Sequence, residues 1–390
     1  MGAQLRTTHA MVGDRRDMRR TLARLWWAGV DAVRGDRCTA AALRDQRIAR
    51  PDGVIAVGKA AAAMAEAAAE AFGTGTRSLI VTKHGHTAGH VVPGSSTVIE
   101  AGHPVPDANS LEAGAALARF VGEMDAGSHL LVLVSGGASA LAELPVDGGL
   151  EALATENARM LAAGWDIHRM NAHRITLSQI KGGKLLSRFG GAKISVLAMS
   201  DVEGDEIGVI GSGIGSVPKD AQFTHETHII ASNAIARAAV ADAATEEGLS
   251  VIESDECLYC DVRDAAAEVA RRVLAKPAGL AIFGGEPTVL LPANPGRGGR
   301  NQALALELAR AISGRDDIVG LVAGTDGSDG PTGDAGGFAD GTLWGDGADE
   351  ALTGADAGSY LAGHGALFTT GPTGTNVMDL ALVAIGSGRP

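Results

Sequence analysis

Gly53-Val-Ile-Ala-Val-Gly58-Lys59 runs directly into AAAAMAEAAAEAF, residues 60–72. Four consecutive apolar residues without polar alternation read as a strand buried on both faces. Ala, Met and Glu are strong helix formers, so the strand hands over to a helix within a few residues, with Gly58 and Lys59 at the joint. Similar joints recur. Leu79-Ile-Val81 meets Thr-Lys83-His84-Gly85-His86, and Leu130–Val134 meets Ser135-Gly136-Gly137-Ala138-Ser139. Ile194–Met199 meets Ser200-Asp201-Val-Glu203-Gly204-Asp205, Leu280–Phe283 meets Gly284-Gly285-Glu286, and Ile318–Ala323 meets a Gly/Asp loop. The pattern predicts an α/β protein with a mostly parallel, helix-covered sheet. Ligands of such sheets bind outside the carboxyl ends of the strands, where Gly, Ser, Lys and Asp collect here.

The 390 residues suit two domains, with a boundary in the acidic, irregular stretch between about 245 and 280. The 55 glycines, without a Gly-X-Y period, imply many tight loops. A formal charge of −13 and only 3% aromatic residues argue against nucleic acid, which wants a basic face and stacking platforms. No apolar run reaches the ~18–20 residues of a membrane span. Three cysteines (Cys38, Cys257, Cys260) cannot build a disulfide framework, so a reducing, cytoplasmic setting is expected. Cys257-Leu-Tyr-Cys260 lacks the second pair of a zinc site and reads as incidental. Leu22, Leu25, Trp26, Val30 and Val33 recur at helical spacing, interrupted by Gly29; residues 1–12 read as a loose tail.

Gly53 to Lys59 has the spacing of a phosphate-binding P-loop, but its intervening residues read as strand and Ala60 replaces the Mg²⁺-binding Ser/Thr. A lysine at a helix start still favours an anion. Ser135-Gly136-Gly137-Ala138-Ser139 lets backbone N–H groups approach a ligand and lacks the G-x-S-x-G of a hydrolase elbow. Arg297 and Arg300, among glycines at a helix start, suit carboxylate or phosphate oxygens. The loop Gly324-Thr325-Asp326-Gly327-Ser328-Asp329 offers hard oxygen ligands for Mg²⁺. Arg174 and Lys181, seven apart, are expected on one face of a helix, facing either a ligand or solvent.

These stretches resemble the type II glycerate kinases, the glycerate 2-kinase family with a C-terminal MOFRL domain. The matching blocks are Val57-Gly-Lys59-Ala-Ala, Gly85-His86, Ala101-Gly-His-Pro-Val-Pro-Asp107, Ser135-Gly-Gly137 with Ser139, and Ile180-Lys-Gly-Gly183. Further on come Ser200-Asp-Val202 with Gly204-Asp205, Phe283-Gly-Gly-Glu286, Gly298-Gly-Arg-Asn-Gln302, Gly324-Thr-Asp-Gly327, Asp329-Gly-Pro-Thr332 and Thr370-Gly-Pro-Thr-Gly-Thr-Asn376. They run in family order from about residue 15 onward. Three departures stand out: a short connection from Ser212-Gly213 to His228 where the family has a longer insert, Ser212-Gly213-Ile214-Gly215 in place of Ser-Gly-Pro-Thr, and Thr176 in place of a histidine.

The resemblance implies a larger Rossmann-like α/β/α domain over residues 13–250 and a smaller α/β MOFRL domain over 275–390, with the site in the cleft between them. It implies an ATP- and Mg²⁺-dependent kinase that phosphorylates the 2-hydroxyl of D-glycerate or of a closely related small hydroxy acid, with a homodimer compatible. Lys59, Arg300 and Asp201 are expected as catalytic residues. Ser135, Gly136, Gly137, Ser139, Arg174, Lys181, Gly299, Asn301, Thr373 and Asn376 are expected to bind substrate or phosphate, and Asp205, Asp326 and Asp329 the metal. Lys59→Ala or Arg300→Ala is expected to abolish turnover while the fold survives. Two rivals stand beside this reading: a hydroxypyruvate reductase, disfavoured because no G-x-G-x-x-G opens a helix after the first strand, and a non-catalytic sugar-acid or nucleotide sensor.

Overall fold

The computed structural model describes residues 15–92, 94–165 and 167–386; the tail expected over residues 1–12 lies outside them. The chain divides into two compact units, and neither is one continuous segment. One comprises Val33–Ser232 and Gly374–Val377. The other comprises residues up to Ala32, Asn233–Thr373 and residues from Met378 on. These limits differ from the expected spans of 13–250 and 275–390. The first helix and residues 233–274 join the C-terminal unit, because their apolar faces pack there.

The first unit holds six strands: β1 (Gly53–Val57), β2 (Arg77–Lys83), β3 (Ser96–Ala101), β4 (His129–Val134), β5 (Lys193–Met199) and β6 (Thr224–Ala231). All run parallel, in the order β3-β2-β1-β4-β5-β6. This is the doubly wound Rossmann order, and its direction of winding reverses between β1 and β4. Helix Ala61–Phe72 returns the chain from β1 to its parallel neighbour β2, and helix Ala108–Gly122 carries it from the edge strand β3 across to β4 on the other side of β1. β1 and β4 are buried along their whole length, as their unbroken apolar sequences require. Val57 pairs with Val134 at the carboxyl ends, which brings Gly58 beside Ser135 at the reversal.

The second unit also holds six strands: β7 (Val251–Leu258), β8 (Gly279–Gly285), β9 (Ile318–Gly324), β10 (Gly336–Asp340), β11 (Leu367–Phe368) and β12 (Asp379–Ile385). Their order is β11-β10-β9-β12-β8-β7, and only β7 and β8 pair in parallel. The expectation of a mostly parallel sheet therefore holds for the first unit alone. Continuous burial marks a strand covered on both faces but leaves its direction open. Here β12, the last strand in chain order among the described residues, enters the middle of the sheet antiparallel to β8 and β9.

Helices Val262–Leu274 and Arg300–Ala311 contribute to the aliphatic core on this sheet. Helix Arg15–Ala32 packs on helix Asn233–Glu246 and on β9 and β12. Leu22, Leu25, Trp26 and Val30 are buried as their spacing predicts. Gly29 has a packing reason: a Cβ there would stand 2.7 Å from Val240 Cγ2 and 3.0 Å from the Ala236 carbonyl. Among the described residues no helix is long and apolar enough to cross a membrane.

Candidate active site

In the first unit, the turns after β1 and β4 are bonded to each other. The Lys59 N–H donates to the Gly136 carbonyl at 2.9 Å, and the Ala60 N–H donates to Ser135 Oγ at 3.1 Å. Gly58 adopts φ +131°, and a Cβ there would lie 2.1 Å from Ser135 Oγ and 2.4 Å from its carbonyl oxygen. Only glycine fits. The Ala61 N–H is also taken, by the Gly58 carbonyl at 3.2 Å. The Lys59, Ala60 and Ala61 amides are thus spent on structure. What this joint offers an anion is the Lys59 ammonium, which has no carboxylate partner among the described residues. Ser135, expected to bind phosphate, instead fastens the two turns together.

The loop beyond it is differently placed. Gly137 is left-handed, φ +84°, and begins the four-residue helix Ala138–Leu141. Among the described residues, no acceptor takes the N–H groups of Gly136, Gly137, Ala138 or Ser139. Consecutive amides in such a turn form a concave donor set suited to an anion. Ser139 Oγ lies 2.9 Å from Ser212 Oγ. Asp201, at the end of β5, holds its carboxylate against Gly136, where a Cβ would meet Oδ2 at 2.2 Å. Asp205 is half-buried with a left-handed φ of +54°.

Arg174 and Lys181 do not share a helix face. Helix Ile167–Leu177 ends before Lys181, and Gly182 and Gly183 carry the chain away with positive φ. Lys181 is 3% exposed and paired with the equally buried Glu143, which also accepts from Ser178 Oγ at 2.6 Å. Burial pushes the Lys181 pKa down, against the pull of Glu143. Burial likewise lowers Arg174, again opposed by Glu143. The charge of Lys181, expected at a phosphate, is neutralised inside the protein.

In the second unit, Gly299 caps helix Arg300–Ala311 and places Arg300 at its first position. Arg300 Nε donates to Asp379 Oδ2 at 2.6 Å, Nη2 to Oδ1 at 3.3 Å, and Nη1 lies 3.0 Å from Glu286. Asp379 is 1% exposed and also accepts from Asn301 Nδ2 at 2.9 Å. Burial works against the Arg300 charge, but Asp379 and then Glu286 outweigh it and raise its pKa. Burial raises Asp379, against the opposing effect of Arg300. About a third of the Arg300 side chain remains exposed, so the buried carboxylate aims it while leaving it reachable. Arg300→Ala, expected to leave the fold intact, would strand a buried carboxylate and is therefore also expected to lower stability. Arg297, the other arginine of this loop, is bound to Asp334 at 2.5 Å.

Asp329 is buried, and its two oxygens accept the N–H groups of Asn301 at 3.0 Å and Gln302 at 2.8 Å. Burial pushes its pKa up to about 6 even though both bonds pull it down. Asp329 thus caps a helix rather than standing open as a metal ligand. Asp326 accepts from the Ser328 N–H at 2.8 Å and its hydroxyl at 2.9 Å, and is half-buried. Asp205 belongs to the other unit. Among the described residues no group of three or more His, Cys, Asp or Glu side chains is arranged to hold a metal ion. Thr373 Oγ1 donates to the Thr325 carbonyl at 2.6 Å, and Asn376 lies on the short segment assigned to the Lys59 unit.

Asp379, Glu143 and His103 escaped the sequence reading as site residues. Asp379 had a visible signal: it is a carboxylate heading the apolar run Leu-Ala-Leu-Val-Ala-Ile. Such a residue is rarely buried without a cation partner.

A family model described as a domain of unknown function (DUF4147) matches residues 21–246, and a MOFRL family model matches 279–379. D-Glycerate 2-kinase of Thermotoga maritima is 38% identical over 376 residues, covering 84% of this chain and 89% of the relative. A protein of Agrobacterium vitis carrying a provisional hydroxypyruvate reductase name is 34% identical over 85% of this chain and 99% of its own. The crystal structure of glycerate kinase from Thermotoga maritima has a TM-score of 0.85 at 32% identity, covering 95% of this chain and 100% of that one. The blocks around Lys59, Ser135–Ser139 and Arg300 all fall within the matched residues, and the chain belongs to the glycerate kinase family with a C-terminal MOFRL domain.

Proposed function

We propose that this enzyme transfers the γ-phosphoryl group of ATP to the 2-hydroxyl of D-glycerate, giving 2-phosphoglycerate and ADP. The acceptor oxygen forms the new P–O bond, the bond to the β-phosphate oxygen breaks, and its electron pair leaves with ADP. The hydroxyl proton passes to a nearby carboxylate, for which Asp201 is the candidate, or to solvent. The observation that carries this reading is the placement of Lys59 beside the Gly136–Ser139 loop, whose four amides meet no acceptor among the described residues, at the reversal point of a Rossmann-type sheet. Phosphoryl transfer asks mainly for positioning and charge neutralisation, which amides, a lysine and an aimed arginine supply.

In this scheme the loop amides hold phosphate oxygens. Lys59 and Arg300 neutralise charge on the transferring group or hold the glycerate carboxylate. Arg174, Gly299, Asn301, Thr373 and Asn376 line or shape the binding surfaces. Mg²⁺ carried on ATP phosphates needs only one or two protein carboxylates. Asp326 and Asp205 fit that modest demand, and Asp329, engaged as a cap, does not. When bound, the ion neutralises the β- and γ-phosphate oxygens.

A nicotinamide cofactor fits poorly. The turn after β1 has no glycine-rich pyrophosphate loop, and β2 ends in Lys83 where a dinucleotide fold presents an acidic residue to the ribose. The deciding assay supplies ATP, Mg²⁺ and D-glycerate, follows ADP, and locates the phosphate by phosphorus NMR. ADP formation dependent on D-glycerate, with phosphate on the 2-oxygen, is expected. NADH consumption with hydroxypyruvate and no ADP would establish the reductase instead, and binding without turnover would establish a sensor. Erythronate and threonate in parallel define the acceptor.

A further inference from the structure

His103 belongs to a sequence block that the scheme above leaves without a task. Its segment follows β3, and its ring is carried to the turns after β1 and β4. A Cβ built on Gly137 would stand 3.0 Å from His103 Cδ2, 3.1 Å from His103 Nε2 and 3.2 Å from Lys59 Cγ. Glycine at 137 therefore does two things: it permits the left-handed turn, and it leaves room for an imidazole and a lysine stem to meet over the loop. The ring is half-buried, yet neither of its nitrogens makes a hydrogen bond within the described residues. The neighbouring histidines differ. His84 is bonded to Asp107 at 2.8 Å and His86 to the Lys59 carbonyl at 3.2 Å. An imidazole kept from much of the solvent, without a partner, beside an unpaired lysine and four unengaged amides, is arranged to meet something absent from the chain itself.

We infer that His103 is a further ligand-contacting residue of the Lys59 site, donating an N–H hydrogen bond to an anionic oxygen, a phosphate oxygen of the nucleotide or the carboxylate of the acceptor. The inference rests on the kinase reading of Lys59 and adds a donor to it. The ionisation of the ring suits the role. Burial, then the charges of Lys59, Lys83 and His86, push its pKa down to about 4. Asp201 lies against the neighbouring Gly136, but is not among the groups that shift His103. At neutral pH the imidazole is uncharged, too weak a base to take the acceptor's proton efficiently and well suited to donate a hydrogen bond. An arriving anion offsets the two lysines, so binding raises the pKa of this ring.

The test pairs His103→Phe, which keeps a ring over Gly137 without a donor, with His103→Gln, which restores an amide N–H. Loss of one preorganised donor costs roughly 10²–10³ in kcat/KM, so the Phe variant is expected to fall by that much and the Gln variant to recover at least tenfold. The ring resonances of His103, assigned by their absence from the Phe variant, are then followed against pH with ADP alone and with D-glycerate alone. The ligand that moves the midpoint upward identifies the source of the anionic oxygen. Wild-type kcat/KM in the Phe variant, or a midpoint that neither ligand moves, overturns the inference. If the wild type shows no kinase activity, the functional reading fails, while the NMR titration still decides whether His103 meets an anion.

Discussion

Lys59 and Arg300 carry comparable charge in the proposed chemistry but are held in opposite ways, so their removal has different consequences. Lys59 has no carboxylate partner among the described residues, and its stem packs at Gly137. Lys59→Met keeps that stem and is expected to lower kcat by roughly 10²–10³ with little change in melting temperature. Arg300→Ala leaves Asp379 buried without its cation, a loss that typically costs about 3–5 kcal/mol. Its activity must therefore be read beside a melting curve, and a wild-type melting temperature would contradict the buried pair. Asp329 makes a pH prediction. Its folded pKa of about 6 lies above its ordinary value, so the folded state holds the proton more tightly. The resulting stability is fully present below about pH 4 and is lost as pH rises through about 6. In Asp329→Asn, the fall in stability between pH 4 and 7 is expected to flatten by on the order of 1–3 kcal/mol, measured by urea unfolding at each pH. An unchanged pH profile would show that another group is responsible.

Glycine in a helix is ordinarily a weakness of about 1 kcal/mol that alanine repairs. In helix Arg15–Ala32 the opposite is expected. Gly29→Ala brings a methyl within 2.7 Å of Val240 Cγ2 and 3.0 Å of a backbone carbonyl on the neighbouring helix. Overpacking of this kind costs about 1–3 kcal/mol, so the variant should melt lower, and a higher melting temperature would refute the close crossing. The same helix shows what the sequence could and could not convey. Its spacing of Leu22, Leu25, Trp26 and Val30 exposed the buried face, while the glycine looked like an interruption because its reason sits more than 200 residues away, on helix Asn233–Glu246. Strands β1, β2, β4, β5, β8 and β9 were legible as apolar runs, whereas β3, β6 and β7, with polar residues along them, were not; the joints at Gly58 and Gly137 were legible as glycine-rich turns. The roles of Ser135, Lys181 and Asp329 were not, because each depends on a partner that only folding supplies: an amide, a carboxylate and a helix end.

For the whole molecule, the position of β12 matters more than its seven residues suggest. It is the middle strand of the second sheet and carries Asp379, the anchor of Arg300. A chain ended after residue 377 is expected to lose the second unit. Circular dichroism should show reduced strand content, and proteolysis should attack residues beyond 233 first. Retention of a native melting transition for that unit would contradict the topology. The first sheet completes itself within Val33–Ser232, from strands that follow one another in sequence. The second cannot. Helix Arg15–Ala32 is made early, but β12, against which it packs, is translated some 350 residues later. At about 5–20 residues per second, that is a wait of roughly 17–70 s. Until helix Asn233–Glu246 and then the sheet emerge, Leu22, Leu25 and Trp26 have no native surface to cover, so the newborn chain carries an exposed apolar face of the kind that holdase chaperones shield.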